Sequence, residues 1–355
     1  MDRSPGNILL YYSEMAAYFL ACAEHLHLKH GYEVHIVHWP INPVAPFAFR
    51  EYKGVHLYSK DDFSEEDLFE LYKSLEPELV FTIGWMDPEY KALAKRIKRD
   101  GKIVIAGMDN RWKGNARQQL ARLASPFYLK PFFTHIWVPG DPQYKFAQKL
   151  GFANENILRG FYSADLTPFQ QAYHTYRDKK QKTYPHNFLY VGRFVEHKGL
   201  DILIEAFSQL KEEMQHDWSL TLAGSGPMRE RLEGKEAVKF LDFIQPEKLP
   251  ELAAESGCFV FPSTDDPWGV VLHEFAGAGL PLISSLRSGA VTAFLKDGQN
   301  GYLYGKHKSA EIKDALRKII LHSDDELNQM SEKSFEISKQ ISPDTWSETL
   351  LSVIA

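Results

Sequence analysis

Strand-like apolar runs alternate with helix-like segments along most of this chain, and the alternation stops once and then restarts. "NILLYYS" (7–13) reads as a buried strand, "EMAAYFLACAEHLHLKHG" as a helix ended by Gly31, and "YEVHIVHW" as the next strand. The pattern runs on through "VHLYS", a helix opened by Ser64 with Asp67 three residues later, and "LVFTIGW". A helix starting at Asp87-Pro88 and strands "KIVIAGM" and "HIWVPG" follow. Continuous apolar strands joined by helices imply a parallel sheet covered on both faces.

The segment 161–186, polar and punctuated by Pro168 and Pro185, interrupts the pattern. Strand "NFLYVGR" (187–193) restarts it, followed by helix "KGLDILIEAFSQLKEE" and strands "SLTLAG", "VKFLDF", "CFVFPS" and "PLISS". Helices "KLPELAAES" and "VVLHEFAGAG" lie between the later strands, and the chain is helical from Ser309. The expected fold is α/β, with two doubly wound, Rossmann-like domains facing across a cleft. Residues 1–165 form the first domain, 166–186 the linker and 187–340 the second domain. The final helix, 341–355, is available to pack back on the first domain. With 355 residues, 44% of them hydrophobic, the chain can supply two cores.

A net charge of −6 argues against a general nucleic-acid binder. Two distant cysteines, Cys22 and Cys258, cannot form a disulfide framework, which fits a reducing cytoplasm. The opening "MDRSPGNILLYYSEM" lacks a signal-peptide cleavage pattern, and no apolar run is long enough to span a bilayer.

The chemistry concentrates in the second half. In "VGRFVEHKG", Arg193 sits past a strand end and Lys198 opens the next helix, so both cations can converge on one phosphate, with Gly192 and Gly199 allowing close approach. In "DDPWGVVLHEFAGAG", Gly269 precedes a helix whose first amides form an anion site. Glu274, one turn inside, suits two adjacent hydroxyls such as those of a ribose, and Asp266 suits a different hydroxylated group. Helix capping by Asp266, with Glu274 serving the helix amino end, fits the same residues.

"YVGRFVEHKGLDILIEAF", "LAGSGP" and "DDPWGVVLHEFAGAGLPLISS" resemble the donor-binding half of the retaining nucleotide-sugar transferases of glycosyltransferase family 4, which have the GT-B fold. The resemblance covers residues 187–304 and extends to "HIWVPGDPQYKFAQKLGF". It implies that Arg193 and Lys198 hold the donor diphosphate and Glu274 the ribose. Asp266, with the amides of Gly269, Val270 and Val271, would hold the transferred sugar, and backbone near Leu241 and Asp242 the base. The family's acid pair is Glu and Glu, so Asp266 is a shortened first member. The implied activity is metal-independent, retaining transfer from a UDP- or GDP-sugar to a glycan or lipid-linked acceptor, in surface polysaccharide assembly. No cofactor is implied, and the chain contains no D-x-D stretch to hold a metal.

Two features depart from the family. The loop after the first strand, "YYSEMAAYF", has no glycines, and the histidine expected after a later strand is replaced within "AGMDNRWKG", where Asp109 becomes the candidate base. The histidines at 25, 27, 30, 35 and 38 lack an H-E-x-x-H arrangement and read as structural. Residues 91–130 hold eleven Lys and Arg against Asp100 and Asp109, a local +9 that leaves −15 for the rest of the chain. This basic segment runs into "SPFYLKPFF" (125–133) and suits an anionic membrane surface, although a solvated helix face with an aromatic core fits it too. Competing classes are a GT-B nucleotide-sugar epimerase and a non-catalytic sugar-nucleotide-binding partner. A nicotinamide dehydrogenase is disfavoured by the absence of G-x-G-x-x-G.

Overall fold

The computed structural model describes residues 6–41, 50–234, 238–305 and 308–354; the first five residues of the leader reading lie outside these. The chain divides into two compact units, Met1–Ser163 with Ile341–Ala355, and Ala164–Gln340.

The first unit begins β1 (Asn7–Tyr11), α1 (Ala17–His30), β2 (Glu33–His38), β3 (Val55–Ser59), α2 (Glu65–Leu75) and β4 (Leu79–Thr82). It continues α3 (Pro88–Arg99), β5 (Ile103–Gly107), α4 (Ala116–Tyr128), β6 (His135–Val138), α5 (Asp141–Lys149) and β7 (Ile157–Arg159). All its strand pairs are parallel, in the order β3-β2-β1-β4-β5-β6-β7. Period-two alternation splits the strand residues between two cores: Leu9, Val80, Val104 and Ile136 on one face, Ile8, Leu79, Ile105 and Trp137 on the other. The Ser64–Asp67 capping box opens α2, and Asp87 accepts from the amides of Glu89 and Tyr90 to open α3.

The second unit runs α6 (Leu166–Lys182), β8 (Asn187–Val191), α7 (Leu200–Glu213), β9 (Ser219–Ala223), α8 (Arg229–Leu232), β10 (Val238–Leu241) and α9 (Leu249–Ala254). It continues β11 (Cys258–Phe261), α10 (Val270–Gly277), β12 (Leu282–Ser285), α11 (Val291–Phe294), β13 (Gly301–Tyr304), α12 (Ser309–Ile320) and α13 (Asp324–Ser338). Its parallel sheet has the order β10-β9-β8-β11-β12-β13. Consecutive connections therefore run outward from β8 in one direction and from β11 in the other, so the β8/β11 boundary is a topological switch point, where ligand sites of open sheets form. The last helix, α14 (Pro343–Leu351), belongs to the first unit: Trp346 is buried against Phe19 and Trp137, and its indole N–H donates to the Phe161 carbonyl at 2.9 Å.

The segment expected as a linker, 166–186, is corrected: residues 166–182 form α6, and the division between units falls after Ser163. Pro168 breaks nothing because it lies in the first turn, where its missing N–H has no helical partner to lose. Leu166, Phe169, Ala172 and Tyr173 bury one side of α6.

Lys180 is buried on the same helix, and its ammonium donates to the carbonyls of Ala253 (2.9 Å) and Ser256 (2.7 Å) at the end of α9. Burial pulls its pKa down to about 7. The unfolded chain then binds more protons than the folded one between roughly pH 7 and pH 10.4, so this group makes stability rise with pH across that window. In thermal melts, Lys180→Met is expected to flatten the rise between pH 7 and pH 9, by at most about 1.4 kcal/mol per pH unit. Parallel curves for the two proteins would contradict this.

Candidate functional site

Loops leaving β8, β9 and β11 build the candidate site. The amide of Phe194 donates to Ser225 (2.7 Å) and that of Thr264 to His197 (2.8 Å), so backbone hydrogen bonds tie the β8 loop to both neighbours. Gly192 has a φ of 154°, and a Cβ there would lie 2.7 Å from the Tyr190 hydroxyl, which itself donates to the Arg193 carbonyl. A side chain at 192 would thus dislodge the group that sets the course of the Arg193 backbone. Arg193 is exposed and forms no ion pair among the described residues.

Lys198 ends a 3-10 turn (Glu196–Lys198), and its ammonium lies 2.5 Å from Asp266 Oδ2 and 4.9 Å from the centroid of the Phe261 ring. The side chains of Lys198 and Asp266 are only 13% and 12% exposed, so this pair is largely removed from water. Asp266 Oδ1 accepts from the Trp268 amide at 3.3 Å. Its backbone is held as well: the N–H donates to Arg287 (3.2 Å) and the carbonyl accepts from Gly289 (3.1 Å). Both carboxylate oxygens and both backbone groups of Asp266 therefore already have protein partners. The two residues assigned to different parts of one ligand are instead bonded to each other. Asp266 also does not cap α10, whose N-cap is Gly269.

Gly269 takes a φ of 92°, and a Cβ there would lie 2.9 Å from the Phe261 ring. This left-handed turn starts α10 directly after the loop, with the amides of Gly269, Val270 and Val271 in its first turn. Glu274 follows one turn along. It is half-buried, with Leu272, His273, Phe275 and Ala276 buried around it, and its carboxylate has no hydrogen bond among the described residues. Burial, with the negative charge of Asp165 added, pushes its pKa up to about 7. Asp165, which accepts from the Thr167 amide to open α6, carries no sequence signal of its own as the last residue of the first domain's expected span, just before the supposed linker.

In the backbone expected to meet the base, the Leu241 carbonyl accepts from the Gly224 amide (3.1 Å) and from Arg229 Nη1 (2.9 Å). Asp242 is exposed, 3.5 Å from Arg229 Nη2. Asp109 belongs to the first unit, just past β5; its Oδ2 accepts from the Tyr162 hydroxyl at 3.2 Å and its carbonyl from Gln143 at 3.0 Å. Among the described residues, no three or more His, Cys, Asp or Glu side chains cluster as metal ligands.

Residues 174–336 match the family model described as glycosyl transferases group 1. This match includes every second-unit candidate from Gly192 to Glu274. An uncharacterized glycosyltransferase of Methanocaldococcus jannaschii is 34% identical over 127 residues, which are 34% of this chain and 32% of the relative. An Escherichia coli protein named for colanic acid biosynthesis, WcaL, is 25% identical over 202 residues, 53% of this chain and 48% of its own. These alignments span half or less of each relative. Anabaena HepE, solved in complex with UDP, superposes with a TM-score of 0.73 over 98% of this chain and 99% of its own, at 15% identity. That likeness establishes the fold, two parallel-sheet Rossmann-like domains of the kind found in GT-B glycosyltransferases.

Proposed function

We propose that this chain is a retaining, metal-independent glycosyltransferase of family 4 that moves a sugar from a UDP- or GDP-sugar onto a glycan or lipid-linked acceptor, in surface polysaccharide assembly on the cytoplasmic side. The observation that carries the reading is Glu274, a half-buried carboxylate without a hydrogen bond among the described residues, one turn inside a helix that starts at the sheet's switch point. A carboxylate so placed is costly unless donors reach it, and two vicinal hydroxyls supply them. HepE with UDP and WcaL with its name support the donor and pathway parts of the proposal.

In the reaction, the bond from the sugar's anomeric carbon to the diphosphate breaks, and its electron pair leaves on phosphate. Arg193, Lys198 and the first amides of α10 stabilise that charge, the amides as fixed dipoles that need no reorganisation. The acceptor oxygen bonds to the same carbon and gives up its proton, with Asp109 as the candidate base.

Calorimetric titration of the chain with UDP and with GDP, in chelator, tests the reading. One nucleotide is expected to bind, and Glu274→Ala to weaken it by about 10–100-fold, the worth of hydrogen bonds to a charged group. If neither nucleotide binds, the donor site is misassigned. Binding with neither transfer nor donor hydrolysis would identify a non-catalytic sugar-nucleotide partner.

A further inference from the structure

Within the second unit, α6 and α13 leave a cavity of about 390 Å³ between them, bordered by Ala254 after α9 and by Ala278 after α10. The donor-side amides sit at the other end of α10, an eight-residue helix, so the two places are about 12 Å apart along it. One side of α6 forms the first wall, with Tyr173, Arg177 and Lys180 at spacings of four and three. The second wall is one side of α13, where Asp325, Asn328, Gln329 and Glu332 recur at three and four.

Both walls are fixed by packing. The Tyr173 ring stacks on Phe335 of α13 with centroids 4.1 Å apart, and it also rests on the bare backbone of Gly279, where a Cβ would collide with it. Lys180 uses two ammonium hydrogens on the Ala253 and Ser256 carbonyls, and the third has no partner among the described residues. Opposite charges face each other here without meeting. Arg177 lies 3.8 Å from its neighbour Asp178, and among the described residues neither Asp325 nor Glu332 forms an ion pair.

We propose that this cavity binds a neutral sugar unit of a glycan, at a site separate from the donor. The sugar's hydroxyls donate to Asp325 and Glu332 and accept from Arg177 and Lys180. The amides of Asn328 and Gln329 do both, and the Tyr176 ring supplies apolar surface. Charge balance selects this occupant. Two cations facing two carboxylates offer little net attraction to a simple ion, whereas a hydroxyl is donor and acceptor at once and satisfies either wall. The volume falls in the range of small-molecule sites, roughly 300–1,000 Å³. A glycan held here stays on the protein when the donor site empties.

The test is saturation-transfer NMR of the whole chain with the methyl glycosides of glucose, galactose, mannose and N-acetylglucosamine, in excess UDP and GDP to fill the donor site. Two variants accompany it, Arg177→Ala and Asn328→Ala/Glu332→Ala. Arg177 and Glu332 are exposed and Asn328 is half-buried, so circular dichroism and melting are expected to match the wild type. At least one glycoside is expected to bind with a Kd of about 1 mM, ordinary for so few atoms, and each variant to weaken it by about tenfold. Transfer to none of the four glycosides overturns the proposal and makes the cavity a water-filled gap between helices. Equal transfer in the wild type and both variants overturns it too. Inorganic phosphate is titrated in parallel; if it binds and no glycoside does, Arg177 and Lys180 form an anion site instead. The substituted residues lie outside the donor loops, so failure here leaves the donor site standing.

Discussion

Glu274→Gln is expected to stabilise the protein at pH 8 and to weaken nucleotide binding in the same molecule. The carboxyl has its pKa raised from 4.5 to about 7 by burial and by Asp165. Between those two values the folded chain holds a proton that the unfolded chain has released, so stability falls as pH rises through this window, and the full cost stands above pH 7. A shift of this size corresponds to roughly 3 kcal/mol, of which a neutral amide should recover about 2, because it too must be desolvated. For a unit of this size that is about 4–8 °C in melting temperature. At pH 5, where the carboxyl is already largely neutral in the fold, most of the gain should vanish. The pH dependence separates this effect from a packing improvement, which would persist at both values.

Nucleotide affinity should move the opposite way. Hydroxyls donating to Glu274 favour its ionised form, so binding pulls the pKa down and releases a proton below pH 7. Wild-type affinity is therefore expected to rise from pH 5 to pH 8, and that of Glu274→Gln to be lower at pH 8 and flatter across the range. Titration in buffers of different ionisation enthalpy reads the proton directly. A variant that is more stable and binds equally well would show the carboxylate to be a structural burden with no ligand to receive.

The parallel sheets were legible because their strands are buried on both faces and stand out as unbroken apolar runs, while caps such as Ser64–Asp67 and Asp87 mark the helix starts. β7 has only three residues, and β13 opens on a glycine with Tyr302 and Leu303 half-buried, so neither stands out as an unbroken apolar run. α6 was lost because Pro168 and a polar surface look like a linker when the buried side is not known in advance. The site divides in the same way. Strand-end glycines, cations and the helix start at Gly269 follow from local pattern, and all of them lie beside the switch point between β8 and β11. The bond between Lys198 and Asp266 joins positions 68 residues apart and is a product of the fold. Chemistry predicted separate partners for each, and proximity gave them one another.

That bond carries the second large effect. Asp266→Ala removes the counter-charge of a Lys198 side chain that is only 13% exposed, and stranding a mostly buried ammonium costs about 3–5 kcal/mol where no water reaches it. Partial solvation should reduce the loss to about 2–4 kcal/mol, or roughly 5–15 °C in melting temperature. Combining it with Lys198→Met should recover much of that loss, because no charge is then left unpaired. The decisive measurement adds nucleotide. If Lys198 serves the diphosphate, UDP or GDP restores to Asp266→Ala the negative partner it lost, and the nucleotide-induced rise in melting temperature should exceed that of the wild type. In the double variant the same ligand should give less than the wild-type rise. An equal rise in Asp266→Ala and wild type would mean that phosphate never reaches Lys198. The ion pair would then be a strut of the β11 loop, leaving Arg193 and the α10 amides as the site's anion-binding groups.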